Sequence, residues 1–209
     1  MNILIIGATR GIGLQLLEQA LERGHKVSAL VRDPQRLQKH HERLTVTQGD
    51  IIDLRSVELA MVGMDAVCCC IGIRPTRKPV SVFSEGTRNM LAAMGKLGIK
   101  LLICVTGIGA GDSKNHGGFL YDKIFQPLLL RTIYEDKDRQ EALIRASDVD
   151  WVIVRPGFLT NEPARRQYRV LTDITGVKAG KISRADVAHF ILEQLASPRY
   201  LRQTPLLMY

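Results

Sequence analysis

Three glycines, Gly7, Gly11 and Gly13, stand in the stretch Gly-Ala-Thr-Arg-Gly-Ile-Gly, directly after the apolar run Ile3-Leu4-Ile5-Ile6. Glycine lets a polyanion approach bare backbone, and the first N–H groups of a helix attract negative charge with the helix dipole behind them. From Ile12 onward, Leu14, Leu16, Leu17 and Leu21 recur at helical spacing, so the glycines lie between a buried strand and a helix. That context makes Gly7, Thr9, Arg10, Gly11, Ile12 and Gly13 candidates to cradle the pyrophosphate of a dinucleotide. The spacing is Gly-x-x-x-Gly-x-Gly rather than G-x-G-x-x-G, and a tight turn without a ligand is the plain alternative.

Arg32 ends the next apolar stretch, about 20 residues beyond the glycine turn. An acidic side chain there takes the ribose hydroxyls of NAD, whereas a basic one suits the 2′-phosphate of NADP. Arg10 can reach the same phosphate, and two converging guanidinium groups make a good site, so NADP(H) is the expected cofactor. Two solvated arginines are the alternative. Asp33 comes one residue later and is tied to the Pro34 turn. Gly49-Asp50-Ile51 closes a third strand, where Asp50 could accept from the adenine amine and Ile51 could cover the ring; Asp50 could equally cap a turn. Ile71, Gly72 and Ile73 end a fourth, and Gly72 permits close approach of backbone to cofactor.

A carbonyl acceptor needs a proton as well as a hydride, and a Tyr-x-x-x-Lys pair on one helix can supply it. Four residues beyond Tyr121, Tyr134, Tyr168 and Tyr200 stand Phe125, Asp138, Thr172 and Thr204, and Tyr209 is the last residue, so the pair is absent. In its place stands Tyr134-Glu-Asp-Lys137-x-x-x-Glu141, followed by Asp150-Trp-Val-Ile-Val-Arg155-Pro156-Gly157. No metal is expected. The five histidines lack ligand spacing, and Cys68, Cys69 and Cys70 are consecutive, so neighbours on a strand face opposite sides. Those three, with Cys104, read as small buried hydrophobes suited to a reducing cytoplasm.

The elements that position these residues alternate between strand and helix. Strands are expected over 2–6, 26–31, 44–48, 66–71, 100–106 and 151–155, with a short one near 205–208. Helices are expected over about 12–23, 56–61, from 80 or 84 to 97, 119–132, 134–146 and 183–196. Ser183 with Asp186 three residues on reads as a capping-box variant. Residues 158–181 read as irregular. The alternation implies an α/β doubly wound parallel sheet, with ligands outside the carboxyl ends of the strands. A single domain over 1–209 is expected, 158–209 forming a small substrate-side lobe.

The 209 residues are 45% hydrophobic, enough for a full core. The net charge is +8, which suits an anionic ligand. Aromatics are only 5% and no basic stripe interleaves with them, which argues against nucleic acid. No apolar run reaches the ~20 residues of a membrane span, and the start is a buried strand rather than a signal peptide, so a cytoplasmic location is expected.

The glycine turn, Leu30-Val31-Arg32-Asp33, Gly49-Asp50, Ser84-Glu85-Gly86-Thr87-Arg88-Asn89-Met90, Lys137, Arg155-Pro156-Gly157 and Asp186-Val187-Ala188 together resemble the atypical short-chain dehydrogenase/reductase branch. That NAD(P)H-binding group includes the biliverdin-IXβ/flavin reductases and the NmrA-like proteins. The resemblance covers nearly the whole chain. It implies that Thr106 lies near the nicotinamide and Lys137 near its ribose, as catalytic-site residues, with Pro156 and Gly157 beside the cofactor and Phe158 beside the substrate. On spacing alone, Lys137 could instead be a surface partner of Glu141. Gly157 stands where the flavin reductases carry a histidine, and Arg10 stands at the family's usual middle glycine.

The expectation is therefore an NADPH-dependent reductase of a planar conjugated acceptor such as a flavin, tetrapyrrole or quinone. The competing one is a redox-silent NADP(H)-binding sensor or assembly factor. A sugar-nucleotide epimerase would need the missing tyrosine. Arg74, Arg77 and Lys78, between two prolines after the fourth strand, are expected to border an anionic acceptor, with Arg165, Arg166 and Arg169 opposite. Two solvated loops are the alternative.

Overall fold

The computed structural model describes residues 1–114, 116–117 and 130–209. Strand β1 (Asn2–Ile6) lies in the middle of the sheet. Ile3 and Ile5 enter one apolar core with Leu16, Leu17, Val187 and Ile191; Leu4 and Ile6 enter another with Met61, Met90 and Met94. A strand buried on both faces cannot alternate polar with apolar, which is why it reads as a continuous hydrophobic run. Each such side chain contributes about 1.5–3 kcal/mol by leaving water.

Around β1 the chain builds α1 (Gly11–Glu22), β2 (Lys26–Val31), β3 (Leu44–Gln48), α2 (Leu54–Met61), β4 (Ala66–Cys69), α3 (Val82–Leu97) and β5 (Leu101–Val105). Then follow α4 (Arg131–Arg145), β6 (Asp150–Pro156), β7 (Phe158–Thr160), β8 (Arg169–Leu171), β9 (Lys181–Ser183), α5 (Arg184–Ala196) and β10 (Leu206–Met208). The sheet order is β3-β2-β1-β4-β5-β6-β10-β8, parallel except for β8, which runs antiparallel to β10. Helices α1 and α5 cover one face, and α2, α3 and α4 the other. This is the doubly wound α/β sheet the alternation predicts. The connections turn opposite ways at β1, towards β2 on one side and β4 on the other, leaving a crevice outside the strand ends. Cys68 and Cys69 go to opposite cores, and all four cysteines are free thiols.

Several boundaries differ from the sequence-based expectation, each for a physical reason. Helix α2 begins two residues early because the Asp53 carboxylate caps it, accepting from the Arg55 and Ser56 amides at 3.2 Å each. Strand β4 stops at Cys69, since Ile71 and Ile73 turn aside onto Val80, Phe83 and Ile133. Residues 158–181, expected to be irregular, carry the three-residue strands β7 and β8; β8 pairs with β10, far along the chain, and so leaves no local pattern. Helix α4 starts at Arg131, and the helix expected over 119–132 falls outside the described residues up to 129.

Two helix starts are held by tertiary contacts. The Asp136 carboxylate of α4 accepts from the Phe83 and Ser84 amides at 2.8 and 3.3 Å, capping α3 from a neighbouring helix. At α5, Ser183 Oγ accepts from the Asp186 amide at 3.0 Å, the expected cap. The return arm is replaced: the Ser183 amide donates to the Tyr209 hydroxyl, and the Asp186 carboxylate accepts from that hydroxyl and from the Arg165 and Arg166 amides. This knot ties the 161–168 segment to the start of α5.

Candidate functional site

The glycine turn lies where β1 feeds α1. Gly7 has φ +93°, and a Cβ there would strike the Cys70 carbonyl of the neighbouring strand. A Cβ on Gly13 would strike the Gly7 carbonyl, so helix and turn are in backbone contact. Gly11 has φ +62°, and here the nearest atoms are not backbone but the Arg184 side chain, at 3.7 Å. Arg10 precedes the helix without making a capping bond, so no side chain from that position occupies the first amides of α1. Its guanidinium donates instead to the Gly72 carbonyl at 3.2 Å, spanning the crevice from β1 to β4. Gly72 is exposed, with nothing within 4 Å of its Cβ position. Bare backbone, uncapped amides and open space suit a diphosphate.

The expected adenine side is differently built. Arg32 is exposed at the end of β2, while Arg10 is engaged at Gly72; among the described residues neither has a carboxylate partner. Asp50 accepts from the Ile52 amide at 3.3 Å, the turn role. Ile51 is 5% exposed and pressed against Gly86, whose Cβ position lies 2.7 Å from it. Its side chain thus belongs to the core, and its carbonyl accepts from the Asn89 side-chain amide at 3.0 Å.

At the other end of the crevice the polar groups are buried together. Lys137 donates to the Thr106 carbonyl at 2.5 Å, and its ammonium lies 4.9 Å over the Phe83 ring. The Thr106 hydroxyl donates to Glu141 Oε1 at 2.7 Å. Glu141 also receives Arg155, from Nε at 3.1 Å and Nη2 at 2.5 Å, and Arg155 pairs onward with Asp112. Gly111, with φ +57°, makes room: a Cβ there would meet Arg155 and Glu141. Burial lowers the Lys137 pKa, offset in part by Cys104, Cys69, Glu141 and Asp136. Glu141 holds the Arg155 pKa up despite burial.

Lys137 is therefore not a surface partner of Glu141; each is buried and bound elsewhere. The sequence reading missed the Glu141–Arg155 pair and the Asp136 cap on α3, because these partners come from different elements. It also missed that the Tyr134 hydroxyl reaches the turn after β5, 3.4 Å from the Gly107 Cβ position. Gly157 has a packing reason for its lack of a side chain, since the Gly180 carbonyl fills its Cβ position, and Pro156 lies in β6 against β10. Phe158 is exposed on β7. Arg74, Arg77 and Lys78 are exposed on a loop joined to α4 through the Thr132 hydroxyl, which donates to the Thr76 carbonyl. The facing cationic rim does not assemble as expected. Arg165 is spent on Glu162 and the Tyr209 ring, Arg166 borders α1, and Arg169 lies on the edge strand β8.

A family profile described as NAD(P)H-binding matches residues 7–198. The chain belongs to that family. Within this fold it is similar to ChuY, an anaerobillin reductase from Escherichia coli O157:H7, at 25% identity and a TM-score of 0.80, covering 100% of this chain and 97% of that one. A chloroplastic protein of Arabidopsis thaliana is 29% identical over 207 residues, 93% of this chain and 71% of the relative. The photosystem II assembly factor Ycf39 of Synechocystis is 24% identical over 214 residues, 98% of this chain and 61% of that protein. The family supports a nicotinamide nucleotide as ligand, and among the described residues no helix is long and apolar enough to cross a membrane.

Proposed function

We propose that the chain is an NADPH-dependent reductase of a planar conjugated acceptor of the flavin, tetrapyrrole or quinone type. The observation that carries the proposal is the likeness to an anaerobillin reductase over the full length of both chains. The turn Gly7–Gly13 would hold the pyrophosphate, Arg10 and Arg32 the 2′-phosphate, Asp50 and the Ile51 backbone the adenine, and Ile71–Ile73 the middle of the cofactor. When bound, the nicotinamide supplies the hydride. Lys137 fixes the Thr106 carbonyl and so shapes the end of β5, with Pro156 and Gly157 backing it. The Thr106 proton is committed to Glu141, so Thr106 offers a neighbouring ligand lone pairs rather than a proton. A conjugated acceptor suits this arrangement, because it spreads the charge gained with the hydride and takes its proton from water. Arg74, Arg77 and Lys78, with Phe158, would border such an acceptor and favour carboxylates or phosphate on it.

The test is NADPH oxidation against a panel of flavin, quinone and linear tetrapyrrole acceptors. Turnover with one class is the expected result. NADPH binding without turnover on any of them would favour a redox-silent sensor or assembly factor. That second reading has its own support: the Thr106 hydroxyl and the Lys137 ammonium are both bound to protein, and the chain resembles an assembly factor.

A further inference from the structure

Arg184 is the first residue of α5, where a cation meets the positive end of the helix dipole. Its stem lies beside a second such end. Cδ and Nε are 3.8 and 3.7 Å from the Cβ position of Gly11, the first residue of α1. A cation set between two helix N-termini is destabilising unless an anion offsets it. Among the described residues Arg184 has no carboxylate partner, whereas Arg23, Arg131, Arg139, Arg145, Arg155 and Arg165 each have one. Its single hydrogen bond there runs from Nη1 to Asn161 Oδ1 at 2.8 Å, which aims the guanidinium without neutralising it.

The position is also fixed from behind. Asp186 binds the Arg165 and Arg166 amides and so anchors the segment that carries Asn161. Gln19, in the last turn of α1, donates to the Ala185 carbonyl at 3.0 Å and so fixes the start of α5 against α1. The space next to Arg184 is open: a cavity of about 540 Å³ runs from Gly11 along α1 beneath Asn161 and Arg166. Of its acidic residues, Glu18 and Glu22 lie farther along α1 and Glu162 is paired with Arg165, so an anion is drawn to the Gly11 end.

We infer that Arg184, held by Asn161, is a pyrophosphate-binding residue that clasps the dinucleotide against the glycine turn from the C-terminal part of the chain. The inference rests on the reading that this turn holds a dinucleotide. It changes the expected division of labour, since the segment after β6 would then serve the cofactor as well as the substrate.

The pyrophosphate is common to NADPH and NADH, whereas the 2′-phosphate is not. Direct binding titrations of both cofactors and of adenosine 2′-monophosphate therefore separate the possibilities. Arg184→Gln should weaken NADPH and NADH by the same factor, about tenfold, and leave adenosine 2′-monophosphate unchanged. Arg184→Lys should recover part of the loss, and Asn161→Ala should show a smaller loss of the same pattern. Unchanged affinity for both cofactors overturns the inference, as does a loss confined to NADPH, which would make Arg184 a 2′-phosphate residue. A uniform loss that includes adenosine 2′-monophosphate and lowers the melting temperature of the free protein marks a structural role and overturns it too. Wild-type protein that binds neither cofactor defeats the underlying reading itself.

Discussion

At the α1 end of the crevice the charged groups lack a countercharge: Arg10, Arg32 and Arg184 have no carboxylate partner among the described residues. At the α4 end Thr106, Lys137, Glu141 and Arg155 are buried and bound to one another or to backbone. The first arrangement suits a ligand that brings its own negative charge. The second suits a rigid wall whose donors and acceptors are already matched. A buried network is stable only when every member is satisfied, so the α4 end should resist substitution poorly, while the α1 end should tolerate it and lose affinity instead.

The largest effect should come from breaking that wall. Among the described residues, Glu141→Leu leaves Arg155, 1% exposed, with only Asp112 as a charged partner. Stripping one partner from a buried ion pair costs about 3–5 kcal/mol, so urea unfolding of this variant should show a loss of that size. Adding Arg155→Met to Glu141→Leu should restore most of it, because an apolar pair avoids the unpaired charge. A loss below about 1 kcal/mol in the single variant would show that the wall is not held by this pair.

The same contrast explains what could be read from the sequence. The glycine turn, Arg32 and the central strand depend on local spacing: an apolar run, then glycines, then helical leucines. Those signals survive in one dimension, and they led to the doubly wound parallel sheet and the crevice. The α4 end depends on meetings between distant residues. Glu141 and Arg155 are 14 residues apart and belong to a helix and a strand, and Asp136 caps a helix 52 residues upstream of it. Nothing in the spacing of Glu141 distinguishes a carboxylate on a solvated helix face from one under a strand end. A surface pair with Glu141 therefore stood as the plain alternative for Lys137. Likewise Arg184 adjoins Gly11 only because α5 packs on α1.

An effect of intermediate size tests the α1 end. Arg32→Ala should weaken NADPH by about 1.5 kcal/mol, roughly tenfold, and leave NADH untouched. Equal wild-type affinity for the two cofactors would remove the 2′-phosphate role from both Arg32 and Arg10. Together with Arg184→Gln, which should weaken both cofactors alike, the pair of variants divides the cationic end into a 2′-phosphate part and a pyrophosphate part.

The smallest effect is a trend with pH, and it reads the buried end directly. Burial holds the Lys137 ammonium below the ordinary lysine range, only partly offset by its acidic and thiol neighbours. The native protein therefore gives up this proton at a lower pH than the unfolded chain does. Between those two values the unfolded chain holds more protons, so raising the pH favours the native state. Below the window both states are protonated and the burial penalty is constant; above it the penalty is gone. Lys137→Met removes the titration altogether. Relative to that variant, wild type should gain stability as the pH climbs towards the usual lysine value of about 10.4. The comparison is urea unfolding of both proteins at stepped pH. A stability difference that stays constant across the range, or moves in favour of Lys137→Met, would mean that Lys137 titrates as a solvated lysine and that the α4 end is wetter than its hydrogen bonds imply.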